Sequence, residues 1–330
     1  MLELLAPNSR LDPSLLDREG TFAWWYLDLV DRDGDGLVLI WAFGLPFLPG
    51  IGVARDRPSI ALSVYRDGKA EFVLLSEIEE AAVTDDGWLF DGCLFTERTV
   101  GDERLLDVVL DLPTCSGPLR GTVSARGRVL EGVGREGDHG WTPQMGAGPG
   151  EASLRCADWS CHLEGAAYRD RNEGRRRLDG LGISHWTWGR TTLQGRLVCW
   201  YLVQGEQPGA HVFVETEGRL NAVPVTVEES GLVRDRYGLT WASALRLTGP
   251  GVDLLVHQDP PVDRGPFYLR HPVHAWMNGA SGRGWGERVR PDRITMPWMR
   301  PLIEMRIQRT ARNSPLLPFF SGPLPRLGWL

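Results

Sequence analysis

The sequence predicts an all-β protein built from antiparallel sandwiches or barrels, and three observations carry that expectation. The 330 residues include 40 Gly and 23 Pro, a density at which long helices are improbable. Alternating apolar and polar residues, rich in β-branched and aromatic types, recur between turn signals. Tight-turn chemistry then joins neighbouring runs, most clearly at Arg66-Asp67-Gly68-Lys69, where Asp-Gly suits the centre of a type I′ hairpin. Strand after strand at this spacing points to sandwiches or barrels.

Taken in order, the strand candidates include GLVLIWAFG (36–44), SIALSVYRDGKAEFVLL (59–75), ERLLDVVLDL (103–112) and GRLVCWYLV (195–203). A weak internal repeat organises them. WWYLDLVDRDGDGLVLIWAF from Trp24 can be laid over HWTWGRTTLQGRLVCWYLV from His185, matching Trp25 to Trp186 and Leu37 to Leu197. Two related β domains are therefore expected, residues 1–178 and 179–330, with the junction near 175–182, where Arg175, Arg176, Arg177 and Gly180 interrupt the apolar patterns. The final stretch, 313–330, carries four prolines among Leu, Phe and Trp and cannot be a helix. It suits either a strap over a domain or an apolar foot that touches a partner or a membrane.

Composition excludes several function classes. Lys and Arg are interspersed with Asp and Glu at a net charge of −7, so nucleic acid is not an expected partner. The five cysteines, Cys93, Cys115, Cys156, Cys161 and Cys199, contain no C-x-x-C and read as reduced core thiols of a cytoplasmic protein. The N-terminal segment has neither the basic nor the long apolar region of a signal peptide, and no apolar run reaches the length of a membrane span. Contact with a membrane, at its inner face, would be peripheral.

Two motifs resemble ligand sites and fail. Asp31 to Gly36 opens like a calcium loop, but the twelfth position, which needs a bidentate Glu, is Ala42; a hairpin turn fits better. Gly132 to Gly137 has the G-x-G-x-x-G pattern, yet the DHGWTPQMG that follows cannot open a helix over a pyrophosphate. The seven histidines are scattered, so no metal site is expected.

Three segments combine ionisable and aromatic groups beyond the needs of packing: Asp138 to Pro143, Tyr168 to Gly174 and His185 to Arg190. In extended strands, Tyr168, Asp170 and Asn172 share one face and Arg169 and Arg171 the other; His139 and Trp141 point together, as do Trp186, Trp188 and Arg190. If those faces line one cavity, it is aromatic with a few acid–base groups. Such a cavity suits protonation of an isolated alkene followed by capture of the cation by water. An Asp desolvated by rings stays protonated at higher pH, aromatic faces stabilise a cation without attacking it, and a His can take the proton the water loses. Asp170 as donor, Trp141 and Tyr168 around it and His139 as acceptor fill these roles.

At these residues the chain resembles the carotenoid 1,2-hydratase (hydroxyneurosporene synthase) family. The resemblance rests on Trp24-Trp25-Tyr26, His139 to Pro143, Tyr168 to Gly174 and Trp186 to Arg190, in family order, and extends over roughly residues 20–310. It implies two lipocalin-like β domains, no cofactor, and water addition to the terminal 1,2 double bond of an acyclic carotenoid. It also implies His139, Trp141, Tyr168 and Asp170 as catalytic, with Trp25, Tyr26, Asn172, Trp186, Trp188 and Arg190 expected around the hydrophobic polyene. The chain departs from the family in its charged Arg169, Arg171 and Glu173, in Thr187 and in Gly189. A cyclase or pericyclase that shapes a polyene, and a lipocalin-like carrier that leaves its apolar ligand unchanged, are the other classes such a cavity serves.

Overall fold

The computed structural model describes residues 2–4, 11–45, 47–48, 52–130, 138–304, 306–309 and 322–324. The described residues are mainly antiparallel strand, as the Gly, Pro and alternation patterns predict. Its one α-helix among the described residues, α1 (Met299–Glu304), has six residues. No helix among them is long and apolar enough to cross a membrane.

The first sheet contains β1 (Phe22–Val30), β2 (Gly36–Phe43), β3 (Pro58–Arg66), β4 (Lys69–Glu77), β5 (Ala81–Thr84), β6 (Gly87–Phe90), β7 (Cys93–Val100), β8 (Glu103–Leu112), β9 (Leu119–Arg128), β10 (His139–Cys156) and β11 (Trp159–Gly174). The second contains β12 (Ile183–Leu193), β13 (Arg196–Gly205), β14 (Gly209–Thr216), β15 (Arg219–Pro224), β16 (Thr226–Arg234), β17 (Thr240–Gly249), β18 (Val252–Gln258), β19 (Tyr268–Met277) and β20 (Ala280–Val289). Their orders are β4-β3-β2-β1-β11-β10-β9-β8-β7-β6-β5 and β15-β14-β13-β12-β20-β19-β18-β17-β16. Both follow one plan. Each strand pairs with its sequence neighbours, the first strand also pairs with the last, and the seam falls between the fourth and fifth strands. Only residues 78–80 span the first seam and Val225 the second. Both sheets therefore curl like lipocalin-type barrels, and the plan repeats once along the chain.

Turn chemistry fixes the hairpins locally. Asp67 and Gly68 both have positive φ, at 52° and 69°, as a type I′ turn between Arg66 and Lys69 requires. The calcium-like segment is a turn as well. Asp31 Oδ1 accepts hydrogen bonds from the backbone N–H groups of Asp33, Gly34 and Asp35 at 2.8, 2.8 and 2.9 Å. The Gly132–Gly137 motif lies outside the described residues apart from its neighbours. Cys93, Cys156, Cys161 and Cys199 are buried thiols, but Cys115 is exposed, because it sits in the turn between β8 and β9, away from either core.

Three apolar layers result. Trp25, Leu27, Leu39, Trp41, Leu62 and Phe95 fill the first barrel, and Val198, Trp200, Leu245, Leu254 and Val256 fill the second. A third layer lies between them, made of Trp24, Tyr26, Trp141, Tyr168, Trp186, Trp188, Tyr201, Phe213 and Trp285 with their neighbours. β1 is buried at all nine positions because its odd residues face the barrel core and its even residues face the other sheet.

That alternation corrects the repeat by one face. β1 matches β12 in topology, but Trp25 points into the first barrel whereas Trp186 points into the layer between the sheets. The facing residues are Trp24 with Trp186, Tyr26 with Trp188 and Asp28 with Arg190. A slip of one residue reverses every side chain in a strand, and sequence similarity between two aromatic hairpins does not resolve it.

Gly189 is one departure from the family pattern that the packing explains. A Cβ there would stand 2.1 Å from Trp200 Cζ2 and 2.8 Å from the Trp285 carbonyl oxygen. Gly189→Ala is expected to cost at least about 2 kcal/mol, as overpacking of a tight core does, read as a lower urea midpoint at unchanged m. A midpoint equal to that of the parent protein would show that Trp200 has room to move.

In the C-terminal region, Gln308–Arg309 and Gly322–Pro323 both pair with β4 of the first sheet. Leu324 N–H adds a bond to the Glu71 carbonyl at 2.9 Å. The remainder of the proline-rich stretch lies outside the described residues.

Candidate active site between the two sheets

β11 carries the central carboxyl group. It pairs with β10 on one side, placing Trp141 opposite Asn172 and Pro143 opposite Asp170, and with β1 on the other, placing Tyr26 opposite Asp170 and Asp28 opposite Tyr168. Tyr168, Asp170 and Asn172 share the face turned toward the second sheet. Asp170 Oδ2 accepts from Trp141 Nε1 at 2.8 Å and from the Tyr168 hydroxyl at 2.9 Å, and Oδ1 accepts from Asn172 Nδ2 at 3.0 Å.

Burial dominates the acidity of Asp170, which keeps 3% of its surface exposed. Removal from water pushes its pKa up from 3.8 to about 7; the Trp141 and Tyr168 hydrogen bonds moderate the rise, and the Glu287 and Asp28 carboxylates reinforce it. The group is thus a carboxylic acid below neutrality, with three donors ready to stabilise its anion.

The second sheet closes the site with rings. The Trp188 centroid lies 5.5 Å from that of Tyr26 and 5.6 Å from that of Tyr168, and Trp141 meets Tyr201 at 5.4 Å and Phe213 at 4.9 Å. Trp186 stands beyond, 6.5 Å from Tyr201. His139 lies against Phe22 and Trp24, both at 5.9 Å, and next to Asn172. Burial lowers its pKa to about 4, with Asn172 offsetting part of the fall. It is therefore neutral at pH 7 and a weaker proton acceptor than its sequence context suggests.

Of the residues expected at the site, Tyr26, His139, Trp141, Tyr168, Asp170, Asn172, Trp186 and Trp188 meet in this one layer. Trp25 does not. It packs inside the first barrel, 4.8 Å from Trp88 and 6.2 Å from Trp41, because β1 alternates and its neighbours Trp24 and Tyr26 take the facing positions. Arg190 reaches the layer, but its charge is engaged: it pairs with fully buried Asp28 and donates to the Ala166 carbonyl at 2.9 Å. The charged neighbours of Asp170 point away from it. Arg169 pairs with Glu97 at 2.6 Å and lies over Trp41 and Trp88, and Arg171 pairs with Glu173 at 3.1 Å.

Sequence reasoning missed a second polar group on the far wall. Arg270 of β19 donates to Tyr26 Oη at 2.8 Å and pairs with Glu287 of β20 at 2.5 Å, with its guanidinium over the Tyr26 and Tyr268 rings. Neither strand carries a local signal for them, since ASGRGWGERV has polar residues on both faces and YLRHPVHAWM has two histidines besides Arg270. An open groove of about 1330 Å³ has Val30, Gly165, Ala166 and Thr192 in its lining and none of the residues that surround Asp170. Among the described residues no cluster of His, Cys, Asp or Glu is suited to hold a metal ion.

The fold and this buried acid define a class: two lipocalin-like sheets clasping an aromatic layer around a protonatable carboxyl. Comparison then gives the family. A family model described as carotenoid hydratase CrtC matches residues 104–315, and the chain belongs to that family. It is 24% identical to a hydroxyneurosporene dehydrogenase from Chlorobaculum tepidum, over 93% of this chain and 92% of that one. It is also 24% identical to an acyclic carotenoid 1,2-hydratase from Rubrivivax gelatinosus, over 86% of this chain and 73% of the relative. Among solved structures, CghA superposes with a TM-score of 0.57 at 12% identity, covering 82% of this chain and 88% of that one. A candidate AttH from Nitrosomonas europaea superposes with 0.52 at 14% identity, covering 87% and 98%. These two share the fold.

Proposed function

We propose that the protein adds water to the terminal 1,2 double bond of an acyclic carotenoid or a related isoprenoid, with Asp170 as the proton donor. The observation that carries this is a carboxyl group held between aromatic walls, protonated up to about pH 7 and already hydrogen-bonded by Trp141, Tyr168 and Asn172. Family membership supports the class of reaction and of substrate.

Protonation of the less substituted alkene carbon by Asp170 leaves a tertiary cation on its neighbour. The cost is the charge separation, and two features reduce it. The three donors stabilise the carboxylate that remains, while the faces of Tyr26, Tyr168, Trp141 and Trp188 stabilise the cation by their quadrupoles, an effect that grows where water is excluded. Water then attacks the cation and surrenders a proton. Asn172 fixes Asp170, and His139, neutral and packed on Phe22 and Trp24, sits behind Asn172.

Incubation of the purified protein with lycopene or neurosporene dispersed in detergent is expected to give a product heavier by one water. A product of unchanged mass would instead mark a cyclase or pericyclase, and recovery of untouched pigment bound to the protein would mark a carrier.

A further inference from the structure

The attacking water must lose a proton, and a group other than the Asp170 carboxylate can take it; the residues that hydrogen-bond Asp170 are donors to it and cannot. The facing wall holds the complementary chemistry. Glu287 lies opposite Trp188 across the β12–β20 pair and so turns its side chain to the same layer. Trp188 in turn packs on Tyr26 and Tyr168, the rings that flank Asp170. Asp170 of the first sheet and Glu287 of the second thus look at each other across one set of rings. Arg270 anchors the Glu287 carboxylate at 2.5 Å and ties it to Tyr26 through the 2.8 Å hydrogen bond. Arg270 and a Tyr268 hydrogen bond use part of the carboxylate's acceptor capacity, and a carboxylate has further lone pairs for a water. The Glu287 side chain is not wholly sealed, with 14% of its surface accessible.

Resting on the hydration assignment, we propose that Glu287, positioned by Arg270, holds the attacking water and accepts its proton. The balance closes. Asp170 gives one proton to carbon, the water oxygen forms the new C–O bond, the water's proton passes to Glu287, and transfer of one proton from Glu287 back to Asp170 restores the enzyme. Placing donor and acceptor on opposite walls separates the two proton transfers in space. A neutral Arg270–Glu287 pair also avoids setting an unbalanced positive charge beside the cation. His139 is less suited, since it lies on the same strand pair as Asp170, behind Asn172, in a dry apolar setting.

The test separates the two steps with lycopene in heavy water. An acid step that is followed by collapse of the cation back to alkene exchanges the alkene hydrogen for deuterium without adding water. Glu287→Gln is expected to lower hydration at least about 100-fold, within the usual range for loss of a general base, while deuterium exchange continues; Glu287→Asp should fall between it and the parent. Asp170→Asn should stop both exchange and hydration. Hydration by Glu287→Gln within threefold of the parent rate overturns the assignment of Glu287. So does an equal fall of exchange and hydration in both Glu287 variants, which would make Glu287 a support for Asp170. If the glutamine variant does not fold, the ratio of exchange to hydration in Glu287→Asp decides: a raised ratio supports the proposal and an unchanged ratio overturns it. Failure of the hydration assignment reads differently, as no gain of water by the parent protein, and failure of Asp170 as the acid reads as water addition that survives Asp170→Asn.

Discussion

Asp170→Asn is expected to abolish water addition and, above neutral pH, to make the protein more stable. Asn keeps the size of Asp and an acceptor for Trp141 and Tyr168, but it has no acidic proton. The stability gain follows from linkage. In the unfolded chain the carboxyl titrates near 3.8, and in the folded protein burial raises this to about 7. Between those values the folded state binds more protons than the unfolded state, so stability falls as pH rises through the window and the loss is complete above about pH 7. At about 1.4 kcal/mol for each tenfold change in proton affinity, the loss is about 4 kcal/mol. The asparagine variant escapes it. Unfolding in urea at pH 5 and pH 8 checks the sign: the two proteins should converge at the lower pH and separate at the higher, with the variant on top. The parent's kcat/KM should decline above about pH 7 as the acid ionises. A stability difference between parent and variant that does not change between pH 5 and pH 8 would mean that Asp170 is solvated, and its role as acid would go with it.

The sequence revealed this site to the extent that strand alternation and local chemistry coincide. Tyr168, Asp170 and Asn172 were legible as one face because β11 is regular there, and the same regularity turned Arg169 and Arg171 to the other side, where Glu97 and Glu173 receive them. Trp25 was misplaced because a WWY run offers aromatic residues to both faces, and only the neighbouring strands decide which face meets the second sheet. Arg270 and Glu287 were invisible for a different reason. They lie 100 or more residues from Asp170 in the chain and reach it only because β20 closes the second sheet against β12, a long-range pairing that no local pattern encodes. The fold class was easier, since Gly, Pro and period-2 patterning act locally. Exposed Cys115 shows the limit of that approach: a strand-like neighbourhood in sequence does not distinguish a turn at the rim from a core position.

Arg190→Met should be the most destabilising single change in the layer between the sheets, by about 3–5 kcal/mol, the usual cost of removing one partner from a buried ion pair. Arg190 and Asp28 are both fully buried, the contact joins the two sheets, and Asp28 Oδ2 has no hydrogen-bond partner. Without the guanidinium, Asp28 remains as an unpaired charge in an apolar layer beside Tyr168, and it must either stay ionised at high cost or take up a proton. Burial without a partner favours the protonated carboxyl, so the variant should lose stability as pH rises and recover part of it in acid. Replacing both residues, as Asp28→Leu with Arg190→Met, removes the charge together with its partner and should regain most of the loss, because apolar side chains of similar volume often replace a buried pair without penalty. Urea midpoints of the two single variants and the double variant give the coupling directly. Additive effects would show that the pair does not interact, contrary to its geometry.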